Sequence, residues 1–281
     1  MTMLMHANDH TVSGERFEIW ECANCTARFT QDVPSPAEIG RYYQSEKYIS
    51  HSNTNKGLVN RLYHRIRKVT LAQKRNLIKK ATSLDTGNLL DIGAGTGLFV
   101  EAMRKAGWKV TGLEPDETAR KRAREMNIVL NDISDLFKLP PASFNAITMW
   151  HVLEHVHDIH GYLSQIGKLL QPGGKLIIAV PNFLSRDALI YKEYWAAYDV
   201  PRHLYHFSPA AMRGLLEKHG FHVGSMHPQW FDSFYVSMLS EQYKTGKSNL
   251  VRATWNGLRS NFKALGSAGK CSSVIYVSSK I

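Results

Sequence analysis

The 281-residue chain predicts an α/β fold: a doubly wound, mostly parallel sheet with helices on both faces and a small lobe ahead of it. Three observations carry that expectation. After Thr86-Gly87, short apolar runs alternate with amphipathic stretches, the pattern of strand–helix–strand units. Alternate glycines, "GAGTG", stand directly after the first of those runs, where the backbone must turn sharply into a helix. The composition is 43% hydrophobic, ample for a packed core, yet no apolar run approaches the roughly 18 residues of a membrane span.

The elements follow in order. Residues 1–50 are polar and turn-rich, with "CANC" in the middle and "DVPSPAEIGRYYQSEKY" after it. They read as a small irregular lobe ending in a helix. Residues 51–84 read as a basic helical segment, in which Leu58, Leu62, Ile66, Val69 and Leu77 recur at near-helical spacing. Residues 85–281 form the main domain. Its seven strands are "NLLDIG", "WKVTGLE", "NIVLND", "FNAITMW", "GKLIIAV", "FHVGSMH" and "SSVIYVSS". The helices between them carry their own punctuation. "LFVEAMRKAG" closes on Gly107, "DETARKRAREM" opens with acids, and "SPAAMRGLLEKHG" has Ser208 as N-cap and Pro209 just inside. Two aromatic-rich insertions, about 182–207 and 229–270, exceed what the sheet needs and read as a lid.

Charge is uneven. The net charge is +11, but residues 51–84 hold nine Lys/Arg and residues 242–281 hold seven, with no acid in either segment. Those basic flanks could meet nucleic acid, an anionic lipid surface or a phosphorylated substrate, or serve only as solvated helix faces. Three cysteines, Cys22, Cys25 and Cys271, make no disulfide framework, and the first twenty residues carry no secretory pattern. A cytoplasmic setting is expected.

The glycine turn discriminates among nucleotides. A Walker A loop would end in Gly-Lys-Ser/Thr, which is absent, and a G-x-G-x-x-G fingerprint would need glycine where Leu98 stands. The spacing is G-x-G-x-G after Asp91, with the strand-ending Glu114 about twenty residues on. With "FNAITMWHVLEHV" and "LLQPGGKLIIAVPN", this ordered set resembles the class I S-adenosylmethionine-dependent methyltransferases, in their ubiquinone-biosynthesis-like (type 11/23) branch. The resemblance implies a Rossmann-like sheet and S-adenosylmethionine as cofactor. It also implies roles: Asp91 and the turn Gly93, Ala94, Gly95, Thr96 and Gly97 meet the cofactor's amino-acid end. Glu114, with Pro115 after it, accepts the ribose hydroxyls. Asp132 and Ile133 meet the adenine, and Trp150 and His151 line the methionyl part. One departure is Phe144-Asn145, where the family usually has Phe-Asp.

"HVLEH" also matches the His-x-x-Glu-His pattern of one class of zinc protease. Here it begins at the end of a strand rather than inside a long helix, which argues against metallohydrolysis. Bracing of the loop by Glu154 and His155 is the structural alternative. A divalent ion on His151, Glu154 and His155 is the minority one, since some quinone-type relatives use Glu-x-x-Glu-His, and no metal is assigned. In the lid, "PRHLYHF" supplies His203 as candidate base, with His155 as its catalytic companion and Arg202 as binder of an acceptor anion. "ECANC" resembles half of a zinc ribbon without its first Cys pair and reads as a degenerate, metal-free remnant. The reading is methyl transfer to a quinone-like, sugar or lipid-linked small molecule. An RNA methyltransferase is disfavoured by the lack of an RNA-binding module, and a cofactor-binding protein without catalysis is the third reading.

Overall fold

A computed structural model describes residues 1–44, 58–247 and 249–281; the start of the basic segment, 51–57, lies outside them. The core sheet comprises β4 (Asn88–Ile92), β5 (Lys109–Leu113), β6 (Phe144–Trp150), β7 (Leu170–Pro181), β9 (Phe221–Pro228) and β10 (Ser273–Lys280), in the order β5-β4-β6-β7-β10-β9. The first four run parallel, whereas β10 is antiparallel to both of its neighbours. Successive residues on each strand feed opposite faces. Leu90, Ile147 and Ile178 pack on one side, and Leu89, Ala146 and Ile177 on the other. Apolar character on both faces is what a parallel sheet covered on both sides requires.

The helices supply those covers. α1 (Leu58–Thr82), α2 (Leu98–Lys105) and α3 (Glu117–Glu125) join the second face through Ile78, Val100, Met103 and Ala123. α4 (Ile159–Leu169) and α6 (Pro209–Lys218) join the first through Leu163, Ile166, Met212 and Leu216. Their caps follow the sequence: Asp116, Asp158 and Ser208 each accept a backbone N–H in the first turn.

Three expectations change. "NIVLND" contributes one parallel bridge, Leu113 to Asn131, instead of a full strand. The Asp132 carboxylate accepts the Ser134 N–H and turns the chain into a short 3₁₀ segment, Ile133–Lys138. The N-terminal lobe is also regular rather than irregular. β1 (Thr2–Asn8), β2 (Arg16–Glu21) and β3 (Arg28–Thr30) form an antiparallel meander, and β8 (Tyr205–His206) from the first insertion joins as its fourth strand. Of the helix expected after "DVPSPAE", the described residues contain one 3₁₀ turn, Ile39–Tyr43, and residues 45–50 lie outside them.

The lobe and the insertions share one core. Ala7 and Ile19 pack with Phe183, Tyr191, Trp195 and Tyr198, so these aromatics build a cap rather than line open space. α5 (Arg186–Tyr191), α7 (Asp232–Thr245) and α8 (Leu250–Ala264) complete it. Buried Asp187 ties the pieces together, accepting from Trp195 Nε1 (2.8 Å), Ser260 (2.6 Å) and Ser272 (2.7 Å).

Arg202, expected to bind an acceptor anion, is instead fully buried. Its guanidinium donates to Asp199 (2.7 and 3.0 Å), Asp9 (2.9 Å), the Tyr42 carbonyl (2.7 Å) and the Thr11 hydroxyl. A buried guanidinium bonded to both sides in this way fastens the lobe to the lid.

Candidate functional site

The site forms where β4, β5 and β6 end. Beyond Ile92 the chain passes through Gly93, Gly95 and Gly97, all at positive φ (73°, 56° and 79°). The amides of Gly93 and Ala94 donate to the Leu113 carbonyl (2.8 and 2.9 Å), pinning the turn to β5. A Cβ on Gly93 would stand 2.3 Å from a Val152 methyl, and one on Gly97 2.6 Å from Ile128. At Gly95 it would meet nothing within 4 Å. The middle glycine thus opens onto a space that a ligand could enter, while the outer two are packed shut.

Glu114 follows β5 and is 7% exposed. One carboxylate oxygen accepts the Gly95 N–H (2.6 Å) and the other the Asp116 N–H (3.0 Å), which leaves each oxygen a further lone pair. Burial raises its pKa. Arg120 organises the rim, donating to the Pro115 carbonyl (2.8 Å) and pairing with Asp132 (2.8 Å). Asp132 is therefore a half-exposed capping residue held by a cation, and Ile133 begins the turn it caps.

Deeper in, Asp91 is 1% exposed and accepts the Thr148 hydroxyl at 2.6 Å. Burial pushes its carboxyl up to about 7, against the pull of Thr148 and Lys74. Lys74 reaches in from α1, its Nζ 4.1 Å from the centre of the Trp150 ring, a cation–π contact. Burial pushes that ammonium down to about 8, against Asp91 and Asp232. Trp150 Nε1 is buried without a hydrogen-bond partner among the described residues.

His151 follows Trp150 with φ 58°, so the chain reverses there and no zinc-protease helix forms. Its Nε2 lies 2.9 Å from Asp232 and its Nδ1 3.3 Å from Glu154. Burial would push the ring's pKa down, but the two carboxylates outweigh it and hold it up at about 10.

The remaining candidates meet on the cap side. Glu154, His155 and His203 each bring a donor atom within 4.8 Å of the others. His155 Nδ1 sits 2.9 Å from the Arg202 carbonyl, and His203 Nδ1 2.9 Å from the Ala197 carbonyl. In its neutral form each ring carries its proton on Nδ1, and its Nε2 is then a lone-pair acceptor. The rings stack edge to face at 4.5 Å. Burial, then the neighbouring His203, pushes His155 down to about 4. Both Glu154 oxygens are buried, with the His151 Nδ1 contact on Oε1 and no partner on Oε2 among the described residues; burial would raise its pKa, yet His151 and then the other histidines hold it down.

Cys22 and Cys25 sit in the turn between β2 and β3. The upstream side chains that could ligate a zinc ion with them are engaged elsewhere: His6 beside Glu18, Asp9 with Arg202, and His10 stacked on Tyr243 at 4.5 Å. Sequence reasoning missed Lys74, Thr148, Asp232, Gln229 and Tyr43, whose hydroxyl reaches His155 Nδ1 at 3.1 Å. Asp232, an acid among the aromatics of "QWFDSFY", is the one that carried a signal.

A family model described as "Methyltransferase domain" matches residues 63–225, more than half of the chain. The chain is 29% identical over 185 residues to the ubiquinone biosynthesis O-methyltransferase of Nitrosococcus oceani, spanning 60% of this chain and 76% of that protein. It is 31% identical over 136 residues to the demethylmenaquinone methyltransferase of Tropheryma whipplei, covering 46% of this chain and 57% of that one. Among solved structures, an S-adenosylmethionine-dependent methyltransferase from Archaeoglobus fulgidus aligns with TM-score 0.52 and 21% identity over 76% of this chain and 94% of that one. Phosphoethanolamine N-methyltransferase 2 of Haemonchus contortus, in complex with S-adenosyl-L-methionine, aligns with TM-score 0.54 and 17% identity over 90% and 61%. With the glycine turn and its acidic strand ends in place, this chain belongs to the methyltransferase-domain family and is an S-adenosylmethionine-dependent methyltransferase.

Proposed function

We propose that the chain methylates a small, ring-bearing acceptor of the quinone-like or lipid-linked class, seated between the ends of β4–β6 and the cap. The observation that carries this reading is Gly95 at the mouth of the glycine turn, its amide bonded to Glu114 and its Cα facing open space. The matched relatives, named as quinone-pathway methyltransferases, supply the acceptor class.

The residues present fit the cofactor. Asp91 offers a buried carboxylate to its ammonium, and the spare lone pairs of Glu114 suit paired ribose hydroxyls. Ile133, in the turn that Asp132 and Arg120 brace, flanks the adenine. Trp150, with its unpaired Nε1, and His151, fixed by Asp232, border the methionyl end. The cofactor brings an electrophilic methyl group on a sulfonium sulfur. What remains for the protein is alignment and removal of one proton from the acceptor hydroxyl. We assign that proton to His203, whose neutral ring gives its Nδ1–H to the Ala197 carbonyl and keeps Nε2 to accept. His155 offers a second acceptor nitrogen beside it.

Calorimetry with S-adenosylhomocysteine tests the cofactor site, and transfer of labelled methyl to hydroxylated ring acceptors tests the reaction. His203→Gln should lower kcat by about 10²-fold or more, the usual contribution of a positioned base, and leave cofactor affinity unchanged. Full activity in that variant removes His203 from the mechanism.

A second reading has one specific observation in its favour. Glu154 keeps one buried oxygen, Oε2, without a partner among the described residues, while Oε1 faces His151 Nδ1 at 3.3 Å, and two further imidazole nitrogens lie beside them, a donor set suited to a divalent cation. The partner is His203 rather than the expected His151, which faces Asp232. Loss of activity on chelation, restored by one metal, would establish it; chelator-insensitive turnover would remove it.

A further inference from the structure

Helix α8 is built inside out. The face it turns to the cap is small and polar: Ala253, Asn256, Gly257, Ser260 and Ala264 are buried. A Cβ on Gly257 would stand 2.8 Å from the Phe234 ring, so α8 lies tightly on α7. Asn256 donates to the Tyr191 hydroxyl (2.9 Å), and Ser260 to Asp187 (2.6 Å). The large apolar side chains go the other way. Val251, Trp255, Leu258, Phe262 and Leu265 are 82%, 61%, 49%, 74% and 70% exposed. Their spacing of four, three, four and three places them on one stripe of the helix.

Isolated apolar residues on a surface need no explanation, but a continuous stripe with two aromatics marks a contact surface. The charge beside it identifies what makes the contact. Arg252, Arg259 and Lys263 follow one edge of the stripe, at the same helical spacing. Lys244 and Lys247 precede the helix, Lys270 follows it, and residues 242–281 contain no acid. Arg252 is partly discharged by Glu241 at 3.4 Å; Arg259 and Lys263 are exposed.

We infer that α8 docks the protein on an anionic lipid bilayer, lying in the plane of the interface. Trp255 and Phe262 enter the acyl boundary, and the basic edge meets headgroup phosphates. Two other occupants fit less well. A second copy of this chain, itself at +11, would bring the same basic edge into the contact. A nucleic acid would use the cations but leave Trp255 and Phe262 in water. No helix of the described residues is long and apolar enough to cross a membrane, so contact is from one side. The inner face of α8 rests on α7, whose first residue, Asp232, grips His151. The docked surface therefore belongs to the cap over the site, which suits delivery of a membrane-dissolved acceptor. Docking itself does not depend on that acceptor or on turnover.

The test is sedimentation of the full chain with vesicles of phosphatidylcholine alone or mixed with phosphatidylglycerol, with tryptophan fluorescence in parallel. Of the six tryptophans only Trp255 is exposed, so it reports depth. Binding to the anionic vesicles, weaker at high salt and accompanied by a blue shift lost in Trp255→Phe, is the expected result. Trp255→Ser/Phe262→Ser should lower partitioning by at least about tenfold, because two large side chains lose their apolar burial. Arg259→Glu/Lys263→Glu should reduce binding to anionic vesicles specifically. All these side chains face water, so circular dichroism should show the fold intact. No binding to anionic vesicles at low salt overturns the proposal, as does undiminished binding by the serine variant. A dimer in sedimentation velocity that the serine variant dissociates, with no vesicle binding, would assign the stripe to a second copy instead.

Discussion

Asp91 shows how a single side chain can be poor for the fold and good for the site. It is buried, one oxygen accepts from Thr148, and burial holds its pKa up at about 7. An unfolded aspartate titrates near 3.9, so keeping Asp91 ionised costs stability. The cost is absent below the unfolded value, grows as pH rises toward about 7, and stays level above it. Asp91→Asn should therefore leave thermal stability at pH 8 unchanged or raised. It should also weaken cofactor binding by about tenfold or more, the worth of a hydrogen bond between two charged groups. In the unaltered protein, affinity should rise with pH through about 7 as the carboxylate forms, and that slope should vanish in the asparagine variant. Calorimetry across that range decides the matter: equal affinities in the two proteins would show that Asp91 does not receive the ammonium.

Among the elements, the glycine turn separates packing from binding within five residues. Gly93 combines φ 73° with a Cβ position 2.3 Å from Val152, so Gly93→Ala should destabilise the protein by about 1–3 kcal/mol through strain and overlap. Gly95, at φ 56° with nothing within 4 Å, should lose only about 1 kcal/mol as alanine, while its new methyl group fills the ligand's approach. Denaturation and calorimetry on the two variants should thus rank them in opposite orders. This turn was legible because positive φ at alternate positions leaves glycine as the residue of choice, and Glu114 because a carboxylate ending the second strand is set by local pattern. The N-terminal sheet was not legible. β3 is three residues long and its partner β8 is two, and they meet through Arg28 and His206 from distant parts of the chain. His151 was assigned to the site from its place after β6, but what holds its charge comes from Glu154 and from Asp232, far along the chain in the second insertion. Arg202 read as a ligand-binding arginine because the sequence shows its charge and not its burial.

For the whole molecule, ion pairs join the cap to the catalytic layer, and they give stability two pH limits. Arg202 holds Asp9 of the lobe and Asp199 of the lid; burial would raise both carboxyls, but this arginine and their hydrogen bonds keep them low. Arg202→Met leaves two buried carboxylates without their cation and should destabilise the protein by about 3–5 kcal/mol. The alkaline limit comes from His151. Its folded pKa of about 10 stands above the unfolded value near 6.5, so its pairing with Asp232 and Glu154 contributes fully below about 6.5. That contribution declines as pH rises toward about 10. The acid limit comes first from His155, whose folded value of about 4 lies below the unfolded one. Protonation in the unfolded state begins to cost stability as pH falls below about 6.5, and the cost levels off under about 4. In an Asp91→Asn background, which removes the opposing cost of that carboxylate below about pH 7, urea midpoints should peak near pH 6.5 and fall on both sides, the alkaline fall being read below about 8, where buried Lys74 begins to oppose it. Asp232→Asn should flatten the alkaline limb and leave the acid limb in place, because Asp232 is the first counter-charge to His151 and touches neither His155 nor Arg202. A limb that stays steep in that variant would mean that the His151 charge is held by Glu154 alone, and that the second insertion does not clamp the floor of the site.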